Sequence, residues 1–144
     1  MQDKVQILID IEEIKTLKAR YFRAVDSKDW DGLSHCFTDD LIADFRQGPG
    51  MLIEGRENCI KQIKEILEQA TTIHHGHMPE IEILSETTAV GVWSMEDIVK
   101  LPDVFLQGWG HYHESYRKED GVWKISNIKL TRLRLLLNGE EQNI

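Results

Sequence analysis

Residues 104–137 read VFLQGWGHYHESYRK, then EDG, then VWKISNIKLTRLRLLL. On either side of Glu119-Asp120-Gly121 the chain has a period of two, the mark of a strand, and the break ends on glycine, the mark of a tight hairpin turn. Two long strands joined this closely are antiparallel neighbours. They make a sheet the frame of the C-terminal half.

Working outward toward the N-terminus, Leu101-Pro102-Asp103 is a loop and Thr87 to Lys100 a long strand containing Val90, Val92 and Trp93. Ser85-Glu86 turns the chain. Thr72 to Leu84 is strand-like, with Pro79 marking a break, an edge or a bulge. Before Thr71 the pattern changes. Ile60, Ile63, Ile66 and Leu67 have helical spacing within Arg56 to Gln69. Leu41 to Phe45 and Met51 to Ile53 are short strands around a Gln47-Gly48-Pro49-Gly50 turn. Ile7, Leu8, Ile11, Ile14, Leu17, Tyr21, Phe22 and Val25 form one apolar stripe on a long first helix, with Glu12, Glu13, Lys15 and Lys18 assigned to its opposite side. Asp29 is placed to cap a short second helix through Trp30, Leu33 and Phe37. Residues 138–144 are polar and expected to fray. Helices followed by a run of antiparallel strands predict an α+β fold, with helices on one face of a curved sheet and a cavity between them. No repeat or linker interrupts the 144 residues, so a single domain is expected.

The formal net charge of −8 disfavours a nucleic-acid backbone or an anionic membrane surface as partner. An apolar small molecule is compatible. No window approaches the roughly 20 apolar residues of a membrane span. Met1-Gln2-Asp3-Lys4 lacks the pattern of a secretory signal. Cys36 and Cys59 have no metal-type spacing and are expected as buried, reduced thiols of a cytoplasmic protein.

Histidines carry most of the chemical information. His74-His75-Gly76-His77 opens one strand, and His111 and His113 lie two apart on a later one. Alternation puts His75 and His77 on one face and His74 on the other. Three readings stay open on residue types alone. One histidine is a general base held by a carboxylate; or His75, His77, His111 and His113 chelate a metal from adjacent strands; or these are ordinary strand histidines. Asp26 ends the first helix, where a turn or cap role is the default. Asp97 reads as an exposed strand end. Tyr21 lies on the apolar stripe.

The chain as a whole resembles the SnoaL-like family of the nuclear transport factor 2-like superfamily over about residues 9 to 135. The resemblance is carried by Tyr21-Phe22-Arg23 with Asp26, by His74-x-Gly76-His77-x-Pro79-Glu80-Ile81, by Ser85-Glu86-Thr87-Thr88-Ala89-x-Gly91-x-Trp93 with Glu96-Asp97, and by Asp120-Gly121-x-Trp123. Within the family it is most similar to bile acid 7α-dehydratase, and more distantly to scytalone dehydratase and hexachlorocyclohexane dehydrochlorinase. The likeness implies a cone-shaped, curved mixed sheet (an α+β barrel) on three helices, often trimeric or dimeric. It implies a cofactor-independent, metal-free lyase of dehydratase type acting on a cyclic hydrophobic molecule such as a steroid or polyketide. A ring isomerase or a non-catalytic binding module is the alternative. It assigns His74 as base, Asp26 as its partner, and Tyr21 and Asp97 as further polar catalytic residues. It places Trp93, Trp109, His111, His113, Arg132 and Leu135 around the substrate. Residues 109–113 and the C-terminal segment from Leu133 depart from the bile acid enzyme's pattern, which leaves the substrate open.

Overall fold

In the computed structural model, which describes residues 3–48 and 50–144, three helices lie against one seven-stranded sheet. The order is α1 (Lys4–Ser27), α2 (Trp30–His35), β1 (Phe37–Asp44), β2 (Leu52–Glu54), α3 (Arg56–Leu67), β3 (Thr71–Ile83), β4 (Thr88–Lys100), β5 (Phe105–Glu119), β6 (Val122–Leu137) and β7 (Glu140–Glu141).

The Asp3 side chain caps α1 by accepting from the Val5 N–H at 3.2 Å. The helix stops where Lys28 turns left-handed, at φ 62°. Ile14, Leu17, Tyr21 and Val25 are buried along it. Two residues of the helix differ from expectation. Leu8 is exposed, and Lys18, assigned to the solvent side, is wholly buried. Lys18 is four residues from Ile14 and Phe22 and three from Tyr21, so the helix turns it inward with them. Asp29 caps α2 as expected, accepting from Gly32 N–H at 2.9 Å. Phe37, read as the end of that helix, instead opens β1 as a buried strand residue.

The strands run in the order β2-β1-β6-β5-β4-β3, with β7 paired to β6. The β1–β6 pair is parallel and the others are antiparallel, so the sheet is mixed. Register shifts occur at His77/Glu80, Trp109/Gly110 and Ser115/Tyr116, and each such bulge adds local bend and twist. The result is a curved sheet whose terminal strands, β2 and β3, do not meet. It is unclosed rather than a barrel. Pro79 sits on the edge strand and at a bulge, two of the places where a missing N–H costs least.

Asp120 and Gly121 both have positive φ, 51° and 78°, as the hairpin turn between β5 and β6 requires. That turn sets Trp123 inward, where its indole N–H donates to Asp10 of α1 at 3.0 Å. The tail does not fray as expected. Asn138 and Gly139 make a second left-handed turn, and β7 folds back on β6 with Gln142 N–H bonded to Leu135 C=O at 2.9 Å. Pro49, inside the predicted 47–50 turn, lies outside the described residues, as do Met1 and Gln2.

Candidate active site

Asp26 occupies the last turn of α1, facing β3. Its Oδ1 accepts from the His74 ring at Nδ1 (2.7 Å) and from the Thr72 hydroxyl (2.9 Å). Its Oδ2 accepts from the His74 backbone N–H at 2.8 Å. Lys28 Nζ donates to the Thr72 hydroxyl at 3.0 Å, which leaves the hydroxyl proton for Asp26. Burial pushes the Asp26 carboxyl upward, but the bonds from the His74 ring and backbone, the His74 charge and the Thr72 hydroxyl outweigh it. The net effect holds the carboxyl below its ordinary value, so it is ionised near neutral pH. A carboxylate can only accept, so His74 presents Nδ1–H to it; in the neutral ring this tautomer puts the lone pair on Nε2. The side chains of His74 and Asp26 are 10% and 26% exposed. The pair is therefore sheltered, with an edge toward solvent.

The space beside His74 depends on a glycine. A Cβ on Gly76 would lie 2.7 Å from the Phe22 ring. Only glycine lets that ring sit against the strand next to the dyad.

Asp97 stands directly across from His74 in the β3–β4 register, so both project from the inner face. It is buried, not the exposed strand end that its surroundings in sequence suggest. Arg132 of β6 grips it at 2.6 Å (Nη1 to Oδ1) and 3.1 Å (Nη2 to Oδ2). The guanidinium also donates to Gly48 C=O at 3.0 Å, and the Arg132 backbone N–H to Gln47 Oε1 at 2.8 Å. Arg132 Nε is buried with no partner among the described residues. Gly108, between Asp97 and β6, has no side chain to obstruct this pair; a Cβ there would come within 2.0 Å of Arg132 Nη1.

Deeper in the interior, Lys18 Nζ donates to Glu114 Oε2 at 2.6 Å and lies 3.7 Å and 3.8 Å from the ring centres of Tyr21 and Tyr112. The Tyr116 hydroxyl donates to Glu114 Oε1 at 2.7 Å and accepts from the Trp93 indole at 2.9 Å. Burial lowers the Lys18 ammonium, with the Glu114 charge opposing it. Tyr21 is 4% exposed and packs edge-on against Phe22, Phe37 and Tyr112. Burial raises its phenol, which stays neutral.

Of the predicted site residues, His74, Asp26 and Asp97 meet where β3 and β4 face the end of α1. Arg132 joins them through Asp97. Tyr21, Trp93 and Leu135 are buried on the same side of the sheet. Trp109, His111 and His113 are not. They alternate with the buried Gly108, Gly110, Tyr112 and Glu114, so they project from the outer face and share no intrachain pocket with His74. Two clefts lie elsewhere. One of about 910 Å³ runs between α1, α2 and the β5–β6 turn; another, of about 610 Å³, lies across β3 to β6 beside His113. Thr72, Lys28, Gln47 and the Lys18–Glu114 pair were not read as site residues. The signal for Lys18 was its place in the helical stripe. For Thr72 it was parity, since Thr72, His74 and Gly76 share a strand face.

The SnoaL-like domain profile matches residues 6–129. The chain belongs to the SnoaL-like family. This SnoaL-like domain has solved neighbours in structure. A scytalone dehydratase-like protein from Novosphingobium aromaticivorans superposes with a TM-score of 0.83 at 20% identity, covering 99% of this chain and 93% of that one. A type 2 hexachlorocyclohexane dehydrochlorinase gives 0.84 at 19% identity, covering 94% and 93%. A variant of a Mycobacterium tuberculosis protein of unknown function gives 0.77 at 24% identity, covering 88% and 78%. At these identities the likeness is one of fold, and the curved, open mixed sheet with its N-terminal helices is common to all. No helix among the described residues is long and apolar enough to cross a membrane.

Proposed function

We propose that this SnoaL-like domain is a cofactor-independent lyase, a dehydratase acting on a cyclic hydrophobic hydroxy compound of steroid or polyketide type. The observation that carries the reading is the 2.7 Å contact between His74 Nδ1 and an ionised Asp26, which leaves Nε2 as the base. Nε2 takes a proton from a carbon next to a carbonyl or ring. The C–H electron pair becomes the new double bond as the C–O bond breaks. The imidazolium, stabilised by Asp26, returns its proton to the departing hydroxyl, which leaves as water. Asp97 is occupied by both Nη groups of Arg132, so the pair supports the wall beside His74 rather than contacting the substrate oxygen. Tyr21 supports the wall of the site. The names of the scytalone dehydratase-like and dehydrochlorinase relatives favour elimination chemistry as the class.

An isomerase would use the same base but return the proton to another carbon. A binding module would not need so short and oriented a His–carboxylate contact. A thermal-shift screen of steroids and cyclic hydroxyketones finds ligands, because binding the folded state raises Tm. Mass spectrometry of the hits then reports loss of water for a lyase and an unchanged mass for an isomerase. His74→Gln is expected to lower turnover by about 10²–10⁴-fold while circular dichroism shows the fold retained. Full activity in that variant would overturn the assignment.

A further inference from the structure

The alternation that sends His74 inward sends His75 and His77 to the outer face of β3, with Glu96 of β4 directly opposite His75. Glu96 Oε1 lies 3.3 Å from His75 Nδ1 and 3.5 Å from His77 Nε2. These spacings are long for charge-assisted hydrogen bonds, which favour roughly 2.7–2.9 Å. The His74–Asp26 contact of 2.7 Å on the other face has that shorter length. They do match the distance between two ligands of one tetrahedral ion. Metal–ligand bonds of about 2.0–2.1 Å put neighbouring donor atoms roughly 3.3 Å apart. The three donor atoms all lie within 4.8 Å of one another, so closing the histidine pair around an ion takes only small ring rotations.

From this geometry we infer a binding site for a zinc-type divalent ion formed by His75, His77 and Glu96. Two imidazoles and a carboxylate suit Zn²⁺, with Ni²⁺ and Cu²⁺ as chemical stand-ins. The backbone under all three ligands is fixed by the β3–β4 ladder, which stays in register from Thr71 to His77 and shifts only beyond it. All three side chains are about half exposed, so an ion reaches them directly and a fourth position stays open for water or an added ligand. The site differs from the four-histidine set considered from the sequence. β4 lies between β3 and β5, so His111 and His113 are two strands away, roughly 9.6 Å in the sheet, too far to complete it. It also departs from the expectation of a metal-free chain. Cys36 and Cys59 do not compete: both are buried, with thiols pushed up to about 11 and about 12.

The test is calorimetric titration of the EDTA-treated, dialysed full chain with ZnCl₂, with Co²⁺ absorption as a second readout. One equivalent is expected to bind, with visible cobalt bands of a low-coordinate nitrogen and oxygen site. His77→Ala and Glu96→Gln should each weaken binding by at least about tenfold, and His75→Ala/His77→Ala should abolish it. His111→Ala and His113→Ala should bind as the parent does. These side chains are partly or fully exposed, and circular dichroism verifies that each variant is folded. No binding by the parent, or binding that survives in His75→Ala/His77→Ala, would overturn the site. So would a stoichiometry that falls only with His111 or His113.

Discussion

His74 and His75 are neighbours in sequence and opposites in environment. His74 is on the inner face of β3, sheltered, and held by an ionised carboxylate at 2.7 Å. His75 is on the outer face, 57% exposed, with a looser carboxylate neighbour at 3.3 Å. The whole sheet repeats this contrast. Inside, Asp26 is held by His74, Asp97 by Arg132, Glu114 by Lys18 and Asp10 by Lys118. Outside are histidines and carboxylates free to meet solvent or a ligand. The same residue types are thus locked on one side and available on the other. Desolvation makes the difference, because a buried charge needs its partner far more than an exposed one does.

The sharpest way to break that comparison is to remove one inner partner. Lys18→Met leaves Glu114 charged and unpaired in the core and is expected to cost about 3–5 kcal/mol in urea unfolding. Lys18→Met/Glu114→Leu should recover most of it. A smaller loss, about 1–3 kcal/mol, is expected from Gly108→Ala, because the new methyl overlaps the Asp97–Arg132 pair and the packed interior must give way.

Asp26→Asn tests the dyad through pH. The Asp26 carboxyl has a folded value below its ordinary 3.8, so its contribution to stability is complete above the unfolded value and is lost as pH falls through the folded one. The stability gap between parent and variant should therefore shrink as pH drops below about 3.8, measured as urea midpoints across the acid range. A gap independent of pH would remove Asp26 from the ionised pair. The smallest effect belongs to the outer face. Without added metal, His75→Ala should change stability by no more than about 0.5 kcal/mol.

Much of this contrast was legible in the sequence, and the losses have specific causes. Parity separated His74 from His75 and His77 without any structure. What it could not say is which set faces inward on β5. Family resemblance put Trp109, His111 and His113 around the substrate, and alternation gave no check on it, because Phe105 and Trp109 on one face are as apolar as Leu106 and Tyr112 on the other. Gly108 and Gly110 were the missed clue, marking the face where Arg132 and the bulge need room. Lys18 was misplaced because a charged residue on an apolar stripe reads as an exception until its partner, 96 residues away on β5, is known. Asp97 was misread for the same reason, since Arg132 lies 35 residues on. Asp26 as the partner of His74 came from family resemblance. Residue types alone made it a helix-end turn residue. The folded tail was signalled by Asn138-Gly139, a hairpin pair that was read as mere polarity.

The backbone bond from His74 to Asp26 has one more effect. β3 is the last strand of the sheet, and an unpaired edge invites a strand from another chain to add itself. At His74 the outward N–H is already taken, by a helix carboxylate standing where a neighbouring strand would be. Further along, Pro79 has no N–H to offer. The side chain proposed to prepare the base therefore also occupies the edge of β3 where a strand from another chain would otherwise add.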